Sequence, residues 1–262
     1  MLARTWCRGR MRDSRDVCGC FPAGRHYPGI ADRMAEIVTS FQGLADEFAP
    51  STVWAQAALA AIDFETTGLS PETDRVLEIG IACYDQGQQS ALKNWLVNPG
   101  VPIPEQARAV HRISDEELAV APTVQAVFGE VFEALKGRIP LAYNAEFDRG
   151  FLLAEHRRLE SAIETQSELP PALRPDVTWL DPLVWVRELQ REEKSKKLGD
   201  ACARLGVSLQ NAHRAAGDAE AAAGVMLALA EQLPATYGEL VRVQRRYAAR
   251  QHIDMSVWRG KR

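Results

Sequence analysis

The sequence predicts an α/β domain, and three observations predict it. Short apolar or alternating runs between residues 57 and 97 have the period of strands. Apolar residues at helical spacing follow from residue 123, and a further short apolar run at 139 to 143 leads straight into a second helical pattern. A chain of 262 residues buries one substantial core, so one domain with appendages is expected rather than two equal domains.

Residues 1–33 carry seven arginines against three aspartates, which is plus 4, so the rest of the chain holds minus 8 of the net minus 4. This stretch has Gly, Pro and Arg without apolar period and is expected to be poorly ordered, with Met34 an alternative first residue. Cys18, Cys20 and His26 have no common zinc-ligand spacing. Five cysteines, with Cys7 the third in the leader, form no disulfide framework, and Cys83 and Cys202 lie in apolar patterns as small core residues. The leader offers arginines where a secretory signal has its apolar core, and no run reaches the roughly 20 apolar residues of a membrane span. The expectation is a cytoplasmic protein that does not enter a membrane. Its slight acidity excludes coating of nucleic acid by bulk charge but leaves room for a local basic groove.

Ala57 to Asp63, Val76 to Tyr84 and Ala91 to Val97 read as three strands, antiparallel because their connections are too short for crossover helices. Thr123 to Lys136 places Val124, Val127, Phe128, Val131, Phe132 and Leu135 on one helical side. Ile139 to Tyr143 is a fourth strand and Phe147 to Leu159 the next helix. Ser161 to Asp176 is polar, with Pro170, Pro171 and Pro175, and is expected to be a surface insertion. Asp181 to Gln190, Lys197 to Leu205 and the alanine-rich Ala215 to Leu233 read as helices. Tyr237 to Arg262 holds seven basic residues against Glu239 and Asp254, a helix whose charges are a solvated face or a track for phosphates. The resulting division is 1–50 extension, 51–233 domain and 234–262 basic helical tail.

Three short stretches carry candidate chemistry. In Ala61-Ile62-Asp63-Phe64-Glu65-Thr66-Thr67-Gly68 an apolar strand carries two acids two positions apart, hence on one face. A solvated strand end shows the same pair; a buried pair needs a cation, and oxygen-only ligands favour magnesium or manganese over zinc. In Tyr143-Asn144-Ala145-Glu146-Phe147-Asp148 a strand enters a helix, with Asp148 in the first turn and Asn144 at the cap, positions such residues also take without a metal. In His213-Arg214-Ala215-Ala216-Gly217-Asp218 the two functional types are five apart, about 140° on one regular helix, so a shared site puts His213 before or at the helix entry.

Together, in this order, the stretches resemble the DEDD-type 3′-to-5′ exonucleases of the histidine subgroup, and most strongly the proofreading (epsilon) subunits of bacterial DNA polymerase III. Asp63, Glu65 and Thr66-Thr67-Gly68-Leu69 match the first motif, Asn144 to Asp148 the second, and His213 with Asp218 the third. Glu78-Ile79-Gly80 and Val110-His111-Arg112-Ile113-Ser114 resemble stretches between them, and the likeness covers roughly residues 57 to 232. Two positions depart: Tyr143 stands where the family commonly has histidine, and Arg112 where it commonly has glycine.

The resemblance implies a ribonuclease H-like fold, a mixed five-stranded sheet flanked by helices, with 51–233 as the exonuclease domain. It implies two Mg2+ ions, replaceable by Mn2+, held by Asp63, Glu65, Asp148 and Asp218, and His213 as the general base. Four carboxylates against two divalent ions leave the site neutral before the phosphate arrives. Thr66, Thr67, Gly68, Leu69, Asn144 and Phe147 are the expected substrate contacts, although Leu69 and Phe147 also suit a core. The implied reaction releases nucleoside 5′-monophosphates from the 3′ end of single-stranded or mismatched DNA. RNA trimming is the alternative within the same site, and a non-turnover binding or scaffold module is the alternative outside it. A DNA polymerase or repair protein is the expected partner, with the basic tail and the proline-bearing insertion as docking surfaces.

Overall fold

The structure, a computed structural model, describes residues 42–159, 169–210 and 212–259. The arginine-rich leader, with Cys7, Cys18, Cys20, His26 and Met34, lies outside the described residues, as do positions 161–168 of the expected insertion.

Three strands, β1 (Leu59–Thr66), β2 (Val76–Asp85) and β3 (Gln88–Leu96), run antiparallel in sequence order. Two short helices follow, α1 (Glu105–His111) and α2 (Asp115–Ala119), then α3 (Val124–Leu135). Next, β4 (Ile139–Leu141) returns parallel to β1, so the sheet order is β3-β2-β1-β4. Helices α4 (Ala145–Arg158), α5 (Pro182–Leu189), α6 (Leu198–Leu205), α7 (Ala215–Ala228) and α8 (Tyr237–Arg259) complete the chain. The α/β class and the mixed sheet are as expected.

Alternation along β1 makes two cores. Ala60, Ile62 and Phe64 point to the layer of α3 and α4, with Val127, Phe128, Val131 and Phe151. Leu59 and Ala61 point to the opposite layer, where Ala219, Ala222, Val225 and Met226 of α7 join Trp185 and Val186 of α5. The alanines of α7 bring its backbone close to β1 and β2, because a helix with a short-sided face lies nearer a sheet than one with a Leu-rich face. Cys83 and Cys202 are buried free thiols within these layers.

Four differences from the sequence reading have physical reasons. The described sheet has four strands, not five: Leu180 makes a single parallel bridge to Leu141, and Pro182 starts a helix at once, so the fifth strand is cut to one residue. Helices α1 and α2 are too short to show a period, and only the Ser114–Glu117 capping box announces α2. Pro170 to Arg174, read as part of a surface insertion, is buried and packs a 3-10 turn against α4, whereas Pro175 and Asp176 are exposed. The basic tail, finally, buries Tyr237, Leu240, Val241 and Val243 in the α7 core. Three of its described cations are engaged inside the chain: Arg242 with Glu239, Arg250 with Glu188, and Arg245 with the carbonyl of Gln42. No described helix is long and apolar enough to cross a membrane.

Candidate active site

β1 carries Asp63 and Glu65 on the face that its earlier residues Leu59 and Ala61 use for the α7 core. Across the antiparallel pairing Asp63 stands opposite Gly80, and Glu65 opposite Glu78. A Cβ on Gly80 would lie 2.1 Å from the backbone carbon of Ala215, so only a glycine lets the first turn of α7 sit at this height on the sheet. That turn brings Asp218 to the acids of β1. Glu65, His213 and Asp218 each offer a ligand atom, and these atoms lie within 4.8 Å of one another.

His213 precedes α7, which begins at Ala215, and its backbone is left-handed at φ 65°. Its N–H donates to Oδ2 of Asp218 at 3.3 Å, while Oδ1 of Asp218 is buried without a protein partner. Asp148 comes from the other layer. It lies in the first turn of α4, 2% exposed, and Oδ1 accepts the N–H of Phe64 at 3.1 Å. The parallel β1 and β4 thus deliver Asp63, Glu65 and Asp148 at their carboxyl ends, where open α/β sheets place ligands.

The electrostatics follow from crowding. Burial first, and then the charges of Asp148, Asp218, Glu65 and Glu78, hold the Asp63 carboxyl well above the usual range. Burial likewise raises Asp148 against the lowering effect of the Phe64 N–H. Burial, Asp218 and Glu78 push Glu65 up to about 8. Asp218 is raised by burial as well, against the His213 N–H that stabilises its charged form. A cation bound among these acids would favour their ionised forms and relieve the crowding.

The remaining expected contacts lie around this cluster. Thr66 Oγ1 donates to the carbonyl of Gly68 at 2.6 Å, and Thr67 Oγ1 accepts the N–H of Arg75 at 2.9 Å, which folds the loop after β1 back on itself. Gly68 is required there, since a Cβ would meet the Asp74 carboxylate at 2.4 Å. Leu69 at the tip is 85% exposed, so it is not core. Phe147 is half-buried, its ring 4.9 Å from that of Phe151. Asn144 is exposed and left-handed at φ 74°, and its side chain makes no cap. A cleft of about 710 Å3 is lined by Tyr143, Asn144, Leu183, Lys197, His213 and Asp218.

Three side chains absent from the sequence reading of the site hold it in place. Asp181 caps α4 from outside, its oxygens accepting the N–H groups of Asn144 and Ala145 at 3.0 and 3.1 Å. Glu155, 2% exposed, receives Arg75 and Arg158 and ties the Thr66–Arg75 loop to α4. Its signal was an acid one turn beyond Phe151 on a buried helical side. Arg214 pairs with Glu78, an acid legible inside an otherwise apolar strand.

The two departures also have a place. The Tyr143 hydroxyl donates to the carbonyl of Lys196 at 2.6 Å, and burial raises its pKa. Arg112 is the left-handed C-cap of α1 at φ 60°, which explains on conformational grounds why glycine suits the position. His111 beside it is buried, and its Nδ1 accepts the N–H of Ile113 at 3.0 Å.

Known proteins resemble this chain in sequence and in fold. The chain is 29% identical over 178 residues to the PolC-type DNA polymerase III of Caldanaerobacter subterraneus, covering 68% of this chain and 12% of that protein. It is 31% identical over 166 residues to the PolC-type polymerase of Streptococcus thermophilus, covering 63% and 11%. The chain therefore spans about an eighth of the length of these curated relatives. In fold it is similar to E. coli exonuclease I in complex with an oligonucleotide, at a TM-score of 0.57 and 18% identity over 67% of this chain and 41% of that one. Exonuclease X in complex with 5′ overhanging duplex DNA gives 0.53 and 22%, over 71% of this chain and 99% of that one. The profile of the RNase T exonuclease family matches residues 60–226, well over half of the chain. The chain belongs to the RNase T exonuclease family.

Proposed function

We propose that the chain removes nucleoside 5′-monophosphates one at a time from the 3′ end of single-stranded or mismatched DNA, with two magnesium ions held by Asp63, Glu65, Asp148 and Asp218. The observation that carries this reading is the uncompensated acid cluster: a buried oxygen of Asp218 lacks any protein partner, the charges of Asp148, Asp218 and Glu65 add to burial in raising the pKa of Asp63, and that of Glu65 does the same for Asp148. Hard oxygen donors beside the cleft that Asp218 lines fit magnesium, with manganese as a substitute. Bound there, the ions would supply Lewis-acid stabilisation of the phosphoryl and leaving oxygens.

The chain's own groups do the rest. His213, exposed at the cleft and within 4.8 Å of Glu65 and Asp218, takes the proton of the attacking water. Asp148 braces the end of β1 through the Phe64 N–H, so one residue would serve both as a ligand and as a brace. Thr66, Thr67 and Gly68 present a tight polar turn to the terminal nucleotide. Exposed Leu69 and half-buried Phe147 offer apolar surface to its base, and Asn144 stands at the cleft wall. None of these contacts reads base edges, which suits removal of any base. DNA is favoured over RNA because the relatives are DNA polymerases and the similar structures hold DNA, and a polymerase or repair partner rests on the same footing.

Digestion of matched DNA and RNA strands carrying a 5′ or a 3′ label tests the proposal. Magnesium-dependent release of the 3′ label as mononucleotide, with a shortening ladder from the 5′ label and no products in chelator, is expected for DNA. Internal cleavage, or full activity in chelator, would overturn it. Faster loss of RNA would transfer the same chemistry to an exoribonuclease.

A further inference from the structure

Glu78 is a completely buried acid that the proposed chemistry does not use. It faces Glu65 across the β1–β2 ladder, yet it is fully satisfied. Arg214 donates to it from Nε at 3.0 Å to each oxygen and from Nη2 at 2.7 Å; Asn94 Nδ2 adds 2.8 Å and the Ala215 N–H 3.1 Å. Two of these donors, Arg214 and Ala215, follow His213 directly in sequence.

His213 needs such a hold. A non-glycine residue at φ 65° sits in a sparsely populated region, one that histidine enters more readily than most but still at a cost, and it persists where its surroundings hold it there. One restraint is the 3.3 Å bond from its N–H to Asp218. That bond is long, and the same carboxylate would be drawn on by a metal. The contacts of Glu78 are shorter, more numerous and independent of any ligand.

We propose that Glu78 and Arg214 form a positioning clamp that fixes the left-handed turn at His213, and through it the place of the imidazole over the acid cluster. The proposal rests on the exonuclease reading above, with His213 as the proton acceptor. Gly80 completes the device: its missing side chain lets Ala215 descend to where its N–H reaches Glu78.

A double-mutant cycle tests the clamp on the full chain, with 3′-labelled DNA and manganese at saturating concentration. Arg214→Ala and Glu78→Gln are each expected to lower kcat by roughly ten- to a hundredfold, the scale of a misplaced catalytic group, with KM changed less than about threefold. On a His213→Ala background the same substitutions are expected to cost less than about twofold, since nothing is left to position. Arg214→Lys, which keeps the charge but loses the two-pronged geometry, is expected to fall between native and Arg214→Ala. Equal losses with and without His213 would overturn the clamp, as would a native kcat in Glu78→Gln. Losses that track the folded fraction by circular dichroism, with a native kcat per folded molecule, would overturn it too. A native chain that releases no 3′ nucleotide at all would instead refute the exonuclease reading itself.

Discussion

Two acids face each other across β1 and β2 and meet opposite fates. Glu78 is buried more deeply than Glu65, but a guanidinium, an amide and a backbone N–H surround it. Glu65 accepts no such set of hydrogen bonds; Arg214 offsets its burial and the charges of Asp218 and Glu78 only in part, and its pKa climbs to about 8. Burial of a carboxylate is tolerable only with compensation, and the fold supplies it at one position and withholds it at the other. Where it is withheld, a cation from outside would supply it. This contrast, rather than the number of acids, is what favours the proposed metal site at the cluster and the proposed positioning role of Glu78.

The contrast can be broken from either side. The largest effect is expected from Asp148→Ala, which removes both a proposed ligand and the brace on Phe64 N–H: kcat should fall by about a thousandfold or more, roughly 4 kcal/mol of barrier. Steady-state digestion with circular dichroism as the folding control reads it. Gly80→Ala comes next. The methyl would collide with the Ala215 backbone, so α7 must lift from the sheet, at about 1–3 kcal/mol of stability in denaturant unfolding and with a loss of rate.

Stability of the metal-free protein should then show the uncompensated side of the contrast. Glu65 has a folded pKa of about 8 against an ordinary 4.5, so between these values the folded state keeps a proton that the unfolded state releases. The contribution is present in full below about 4.5 and is lost as pH rises through about 8. Thermal unfolding in chelator should therefore occur at lower temperature at pH 8 than at pH 5.5, and added manganese should remove the difference. A Tm that rises with pH in chelator contradicts the crowding described for Glu65. The smallest effect is expected from Arg112→Gly: a left-handed C-cap favours glycine, so stability should rise by about 0.5–1 kcal/mol in urea unfolding with kcat unchanged.

Much of this was legible in the sequence. The strand periods of residues 57 to 97 and the helical spacing of Val124 to Leu135 gave four elements in their correct order, because each side of β1 and α3 meets only one layer. The candidate acids and histidine stood out because polar residues interrupted apolar runs. What stayed hidden depends on distance in space. Glu155 and Asp181 act across 80 and 37 residues on partners that no local pattern names. The buried Pro170–Arg174 turn and the packed base of α8 looked polar or basic in sequence, and only the tertiary contacts decide which of their faces is covered. The shortened fifth strand failed for the same reason, since one bridge at Leu180 leaves no period to read.

Manganese titration of the purified chain, followed by electron paramagnetic resonance, tests the central contrast most directly. Two ions per native chain are expected, at least one of them lost in Asp63→Ala and both retained in Arg214→Lys. A native chain that binds no manganese, or an Asp63→Ala protein that binds as many ions as native, would contradict the account.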